Sequence, residues 1–167
     1  ILRRDIDTAD FGILRKMLAL EQQYGARCTY YFRWNTMNIP LMHEIANAGG
    51  EASYHYEEIA SYCYRHHIKT HDEMMPHLED IRNLFISQYQ SFKDMTKQPC
   101  LTVASHGDFV NIMVGCPNLV LMDDRVRQAC GIIREAYDAE HMDLLTCRIA
   151  DQKEGDSFTG KALSALR

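Results

Sequence analysis

Asp5, Asp7, His55 and His106 are the residues whose types and spacing could do hydrolytic chemistry. Asp5 and Asp7 belong to Leu2-Arg3-Arg4-Asp5-Ile6-Asp7-Thr8, which reads as a buried strand. Residues two apart in a strand point to the same side, so the two carboxylates emerge together at its C-terminal end. Adjacent acids repel; a cation can hold one ionised while the other works as a base. A D-x-D pair is common by chance, so its weight depends on what ends the other strands. His55 ends a short strand, His106 follows another inside Ser105-His106-Gly107, and Arg33 and Asp151 close two more. In β/α folds chemistry gathers at the C-terminal ends of parallel strands. One Asp and two His from three strands match a divalent metal site, zinc or a similar first-row ion, with a position open for water. Metal-bound water has its pKa lowered towards ~7, and a neighbouring carboxylate can take its proton as it attacks a carbonyl.

Each residue also has a plainer reading. Asp5 or Asp7 could cap the following helix, His55 could be a satisfied half-buried histidine, and His106 could serve the turn at Gly107. Ligand types at all three strand ends favour the metal. His66, His67 and His71 share a charged stretch with Arg65 and Lys69 and read as solvated surface, as do His43, His77 and His141.

The elements that must position these groups follow from periodicity. Thr8 or Asp10 caps a helix to about Tyr24, with Phe11, Leu14 and Leu18 at helical spacing. Arg27–Arg33 reads as the second strand. Asn38-Ile39-Pro40 opens a short helix through Ala48 that Gly49-Gly50 stop, and Glu51–His55 is the third strand. Tyr56–Lys69 is expected to be helical, then irregular. A long helix spans about Asp72 to Met95, its stripe of Met74, Leu78, Ile81, Phe85, Tyr89 and Phe92 being core. Cys100–Ala104 is the fourth strand and a loop runs to Asn118. Leu119–Met122 is expected as a short strand, Asp124–Cys130 as a short helix, and Leu144–Ile149 as the last strand.

Strands alternating with helices argue a parallel sheet or β/α barrel, and 167 residues are fewer than the ~250 of a complete eight-fold barrel. The expected fold is therefore a partial or distorted α/β barrel over residues 1–151, with 152–167 unassigned. Apolar residues make up 46% and charged residues 25%, ordinary globular usage. A net charge of -5 argues against a nucleic-acid or anionic-membrane partner. No apolar run approaches a membrane span, and no signal peptide is read. The missing initiator Met suggests a chain that begins inside a longer product. Six scattered cysteines without a C-x-x-C pair favour a reducing, cytoplasmic setting.

Arg4-Asp5-Ile6-Asp7, then a helix, then Gly25-Ala26-Arg27-Cys28-Thr29-Tyr30-Tyr31-Phe32, resembles the opening of polysaccharide deacetylase-like proteins, the relatives of carbohydrate esterase family four. Ile45–Glu57 resembles that family's second motif, a helix ending in Gly and a strand running into a ligand His. Ala104-Ser105-His106-Gly107 resembles a Ser-His-Gly element of a divergent bacterial branch tied to surface-polysaccharide gene sets. The resemblance implies a distorted β/α barrel, a zinc-type metal and removal of acetyl groups from N-acetylated sugars or polysaccharide. Asp5 would be the general base; Asp7 and His55 would be metal ligands. The family's second motif histidine falls at Ile59, and the divergent branch suggests His106 as its replacement. The family's late leucine-histidine motif has no obvious match. Arg33 and Glu57 would meet substrate at the rim. The rival expectations are a sugar-binding barrel without turnover and a metal-dependent hydrolase of another amide or ester. Any of these is compatible with a homo-oligomer.

Overall fold

In the computed structural model, residues 2–139 are described. Five strands form one sheet in sequence order: β1 (Leu2–Ile6), β2 (Cys28–Phe32), β3 (Glu51–Tyr56), β4 (Thr102–Ser105) and β5 (Arg134–Glu135). Every neighbouring pair is parallel, and the sheet curls into a half-barrel. The partial-barrel expectation therefore holds at the level of architecture.

Register decides which side chains meet. Ile6, Phe32, Tyr54 and Val103 lie side by side across four strands, and all four belong to the main apolar core. Alternation sends the intervening residues, Asp5, Tyr31, Ser53, His55 and Ala104, to the opposite, concave face. That face has only a small apolar cluster of Tyr31, Ala104 and Ala136 with Tyr137 against it. The sheet thus has one dry side and one side lined by chemistry-bearing groups.

Helices cover the dry side. Asp10, not Thr8, caps α1 (Phe11–Gln23), and Asn38 caps α2 (Ile39–Asn47) with proline in its first turn. Gly50 lies so close to the Cys28 carbonyl that a Cβ there would approach it to 2.8 Å, so α2 can turn into β3 only through glycine. The stretch after His55 forms α3 (Glu58–His66), ended by His67 in the left-handed region at φ 58°. The single long helix expected over 72–95 is divided instead. A capping box at Thr70 and Glu73 opens α4 (His71–Met74), a 3-10 turn over Met75–His77 contains Pro76, and α5 (Leu78–Thr96) follows. Proline cannot donate the helix bond due at its position. The expected core stripe holds: Ile81, Phe85, Tyr89 and Phe92 are all fully buried, with Phe92 4.8 Å from the Tyr54 ring centre and Phe85 5.1 Å from that of Tyr56.

Two further expectations are corrected. The loop from Gly107 to Asn118 contains α6 (Phe109–Val114), capped by Asp108. Leu119–Met122 is not a strand; Asn118–Leu121 is a 3-10 turn, with Pro117 before it and Asp123 capping α7 (Asp124–Cys130) after it. β5 was not anticipated. The strand expected over 144–149, Asp151, Cys147 and His141 lie outside the described residues. Cys28, Cys63, Cys100, Cys116 and Cys130 are buried and free. No helix among the described residues is long and apolar enough to cross a membrane.

Two buried acids, Glu21 and Glu58, lie on the dry side, and Glu58 has the fewer partners. Glu58 is 4% exposed, accepts one bond from the Tyr54 hydroxyl at 2.6 Å and leaves Oε2 without a partner. Burial pushes its carboxyl from 4.5 up to about 7. Between those values the unfolded chain releases the proton and the folded chain keeps it, so stability falls as pH rises and levels off above 7. Glu58→Gln removes the ionisation. Thermal melts from pH 4.5 to 8 are expected to show the variant losing roughly 1–3 kcal/mol less than the parent across that window. Parallel curves would show that Glu58 does not carry the slope.

Candidate metal centre

Asp7 stands one residue beyond the end of β1. The chain there is held by Thr36, 2% exposed, whose hydroxyl donates to the Ile6 carbonyl at 2.6 Å. His55 is the penultimate residue of β3 and faces the concave side. His106 directly follows β4, and its backbone N–H donates to the Tyr56 carbonyl at 2.8 Å, continuing the ladder. Parallel pairing therefore brings the three expected ligands to one rim.

Their reactive atoms converge. Asp7 Oδ1 is 3.5 Å from His55 Nε2 and 3.4 Å from His106 Nε2. Asp7, His55 and His106 form a group whose candidate ligand atoms all lie within 4.8 Å of one another. Two ligands each ~2.0–2.1 Å from a tetrahedral ion are separated by about 3.4 Å, so these spacings fit a shared cation. They are long for a strong hydrogen bond.

The histidines are oriented as ligands should be. His55 is 2% exposed, and its Nδ1–H donates to the Ala104 carbonyl at 2.9 Å. A carbonyl can only accept, so Nδ1 carries a proton, and Nε2 is the ring atom that faces Asp7. The His106 ring stands at 89° to that of His55, their centres 5.1 Å apart. Its Nδ1 faces Glu57 Oε2 at 3.5 Å, and Glu57 is held by Arg33 at 2.5 Å. Asn118 fixes the same segment from behind: its amide donates to the His106 carbonyl at 2.6 Å, while its oxygen accepts from the Ile59 N–H at 2.9 Å.

The electrostatics suit a cation. The facing His55 imidazole, with help from His106 and Arg33, holds the Asp7 carboxyl below its ordinary value against the opposing effect of burial. Burial is the first cause lowering the His106 imidazole, followed by the repulsion of His55 and Arg33. An ionised carboxylate and neutral imidazoles are the forms that bind metal. Asp7 remains half exposed while both histidines are largely buried, so the centre is reached from the Asp7 side.

The other expected site residues fall as follows. Asp5 faces the concave side further down β1; Arg3 donates to its Oδ2 at 2.7 Å, and its Oδ1 is buried without a hydrogen-bond partner. Arg33 and Glu57 are paired with each other at the rim. Ile59 is fully buried in the main core. The position four residues after His55 is thus turned towards the helix–sheet interface, away from the centre. His66, His67 and His71 are exposed, as expected, and so is His43, although its ring meets the Thr96 carbonyl at 2.9 Å. His77 is half-buried against Tyr62. Sequence reasoning passed over Asn118, Glu135 and Tyr137, which bear on the site only through contacts distant along the chain. No family model, no curated protein and no solved structure matches the chain.

Zinc added to the protein should raise its melting temperature by mass action. At about 100 times the dissociation constant the gain is about 2.7 kcal/mol, or roughly 5–10 °C for a chain of this size. His55→Ala and Asp7→Asn should abolish the gain, whereas Asp10→Asn, which touches only the α1 cap, should keep it. An equal gain in all four proteins would place the ion elsewhere.

Proposed function

We propose that this protein is a metal-dependent hydrolase of the polysaccharide deacetylase type, removing acetyl groups from N-acetylated sugars or polysaccharide. The observation that carries the reading is the convergence of Asp7 Oδ1 with the Nε2 atoms of His55 and His106, with a second acid, Asp5, two residues earlier on β1. Asp7, His55 and His106 would hold the ion, and zinc suits their mixed oxygen and nitrogen donors. A divalent ion held there supplies Lewis acidity, polarising a carbonyl oxygen and lowering the pKa of water.

The chain's own groups do the rest. Asp5 keeps a buried, unpartnered oxygen with which to accept a proton from the attacking water. The water oxygen bonds to the acetyl carbon, the C–N bond then breaks as the nitrogen takes the proton that Asp5 had accepted, and acetate and the free amine leave. Arg33 and Glu57, locked together beside His106, are positioned to meet the sugar at the rim while keeping the imidazole aimed. The resemblance of the Asp5–Asp7, His55 and His106 segments to deacetylases supplies the acetyl group as the target.

The test is acetate release from N-acetylglucosamine oligomers by zinc-loaded protein, beside a panel of simple amides, esters and phosphoesters. Release that a chelator abolishes and that Asp5→Asn lowers at least about 10²-fold is the expected result. Turnover of another panel member alone would reassign the substrate. Glycan binding without release of any product would make the protein a sugar-binding barrel.

A further inference from the structure

β1 and β5 are the two outer strands of the sheet, yet one side chain joins them. The Arg3 guanidinium donates to Asp5 Oδ2 at 2.7 Å and also to the Tyr137 hydroxyl, and its carbon lies 4.2 Å from the centre of the Tyr137 ring. Tyr137 follows β5 by two residues, 134 positions along the chain from Arg3. Its turn is built firmly. The Tyr137 N–H donates to Glu135 Oε2 at 2.5 Å, the Glu135 N–H donates to Asp138 at 2.9 Å, and Arg127 grips Asp138 through two bonds of 2.9 and 2.6 Å. Glu135, fully buried, uses its other oxygen to accept from the Ser105 N–H at 2.7 Å, one residue before His106. A continuous set of contacts therefore runs from Asp5 through Arg3, Tyr137 and Glu135 to the strand end that presents His106.

We propose that Arg3, braced by Tyr137, is the positioning residue for Asp5. It closes the curled sheet across its concave face and pins Oδ2, so that Oδ1 alone is left to take the proton. The inference rests on the hydrolase reading above for the role of Asp5, while the pinning itself is a matter of geometry. A carboxylate on a strand can rotate about two side-chain bonds. Bound through one oxygen to a half-buried, doubly anchored guanidinium, it presents the other in a fixed direction, the preorganisation that proton transfer rewards. One guanidinium nitrogen, Nη2, donates to both the carboxylate and the phenol through its two N–H groups.

The test combines structure and kinetics on the full chain loaded with zinc. In crystals of Arg3→Met, Asp5 should leave its place and Tyr137 should swing free, while Asp7, His55 and His106 stay within reach of one another and zinc still binds. Arg3→Lys and Tyr137→Phe should fold normally and displace Asp5 less. In acetate release, Arg3→Met should lower kcat about 10²-fold with KM changed less than about twofold, and Tyr137→Phe should lose about tenfold. Adding Arg3→Met to Asp5→Asn should cost nothing further, because both act through one group. An unmoved Asp5 in the Arg3→Met crystal, or losses that multiply in the double variant, overturns the proposal. If the parent binds zinc but releases no product, the hydrolase reading fails, and the crystals still decide whether Arg3 pins Asp5.

Discussion

The imidazole of His55 gives its Nδ1 proton to the carbonyl of Ala104, and the direction of its other nitrogen follows from that single bond. The bond exists because β3 and β4 are parallel neighbours with His55 opposite Ala104. The same pairing carries His106 past the end of β4 to the same rim, and the alternation of β1 brings Asp7 up beside both. A shift of one residue in any of these registers would turn a ligand into the aromatic core and an apolar side chain into the centre. The convergence of these three side chains is therefore a consequence of strand pairing, which the core on the other side of the sheet enforces.

Tyr30, Phe32, Tyr54, Tyr56, Phe85, Tyr89 and Phe92 are the largest side chains fully buried in that core. Tyr54 meets Phe85 and Phe92, Trp34 lies edge-on to Tyr54 and Phe92, and Phe85 stacks near Tyr89. Rings of this size bury large apolar areas and add the specific geometry of aromatic pairs, so they fix the sheet against α5 with little freedom to slide. The concave face carries far less apolar packing. Its groups are satisfied instead by hydrogen bonds between strands, such as Tyr31 to Thr102 at 2.8 Å and Thr102 to Glu51 at 2.9 Å. Apolar packing and polar side chains are divided between the two sides of one sheet.

How much of this was legible in the sequence depended on distance along the chain. The alternation of strands and helices was enough to expect parallel strands whose ends lie together, and Asp7, His55 and His106 do meet at one rim. The α5 stripe was plain from its period. Short apolar runs misled, because Leu119-Val120-Leu121-Met122 suits a strand or a turn equally until Pro117 and the buried Asn118 side chain decide it. α6 was hidden because its capping box uses Asn111 in place of the usual Glu or Gln. β5 has two residues, too few for any period to show. The roles of Asn118, Glu135 and Tyr137 depend on partners 12, 30 and 134 residues away, which no local pattern can reveal.

The bridge from Arg3 to Tyr137 also has a bearing on the order of assembly. Strands one to four bring together all three candidate ligands, yet the last support of Asp5 comes from residues that are synthesised after them. Contacts so remote in sequence form late, since the loop they close carries a large entropic cost. A nascent chain ending before residue 137 would carry Asp7, His55 and His106 complete while Arg3 and Asp5 still lack their bridge to the far edge of the sheet.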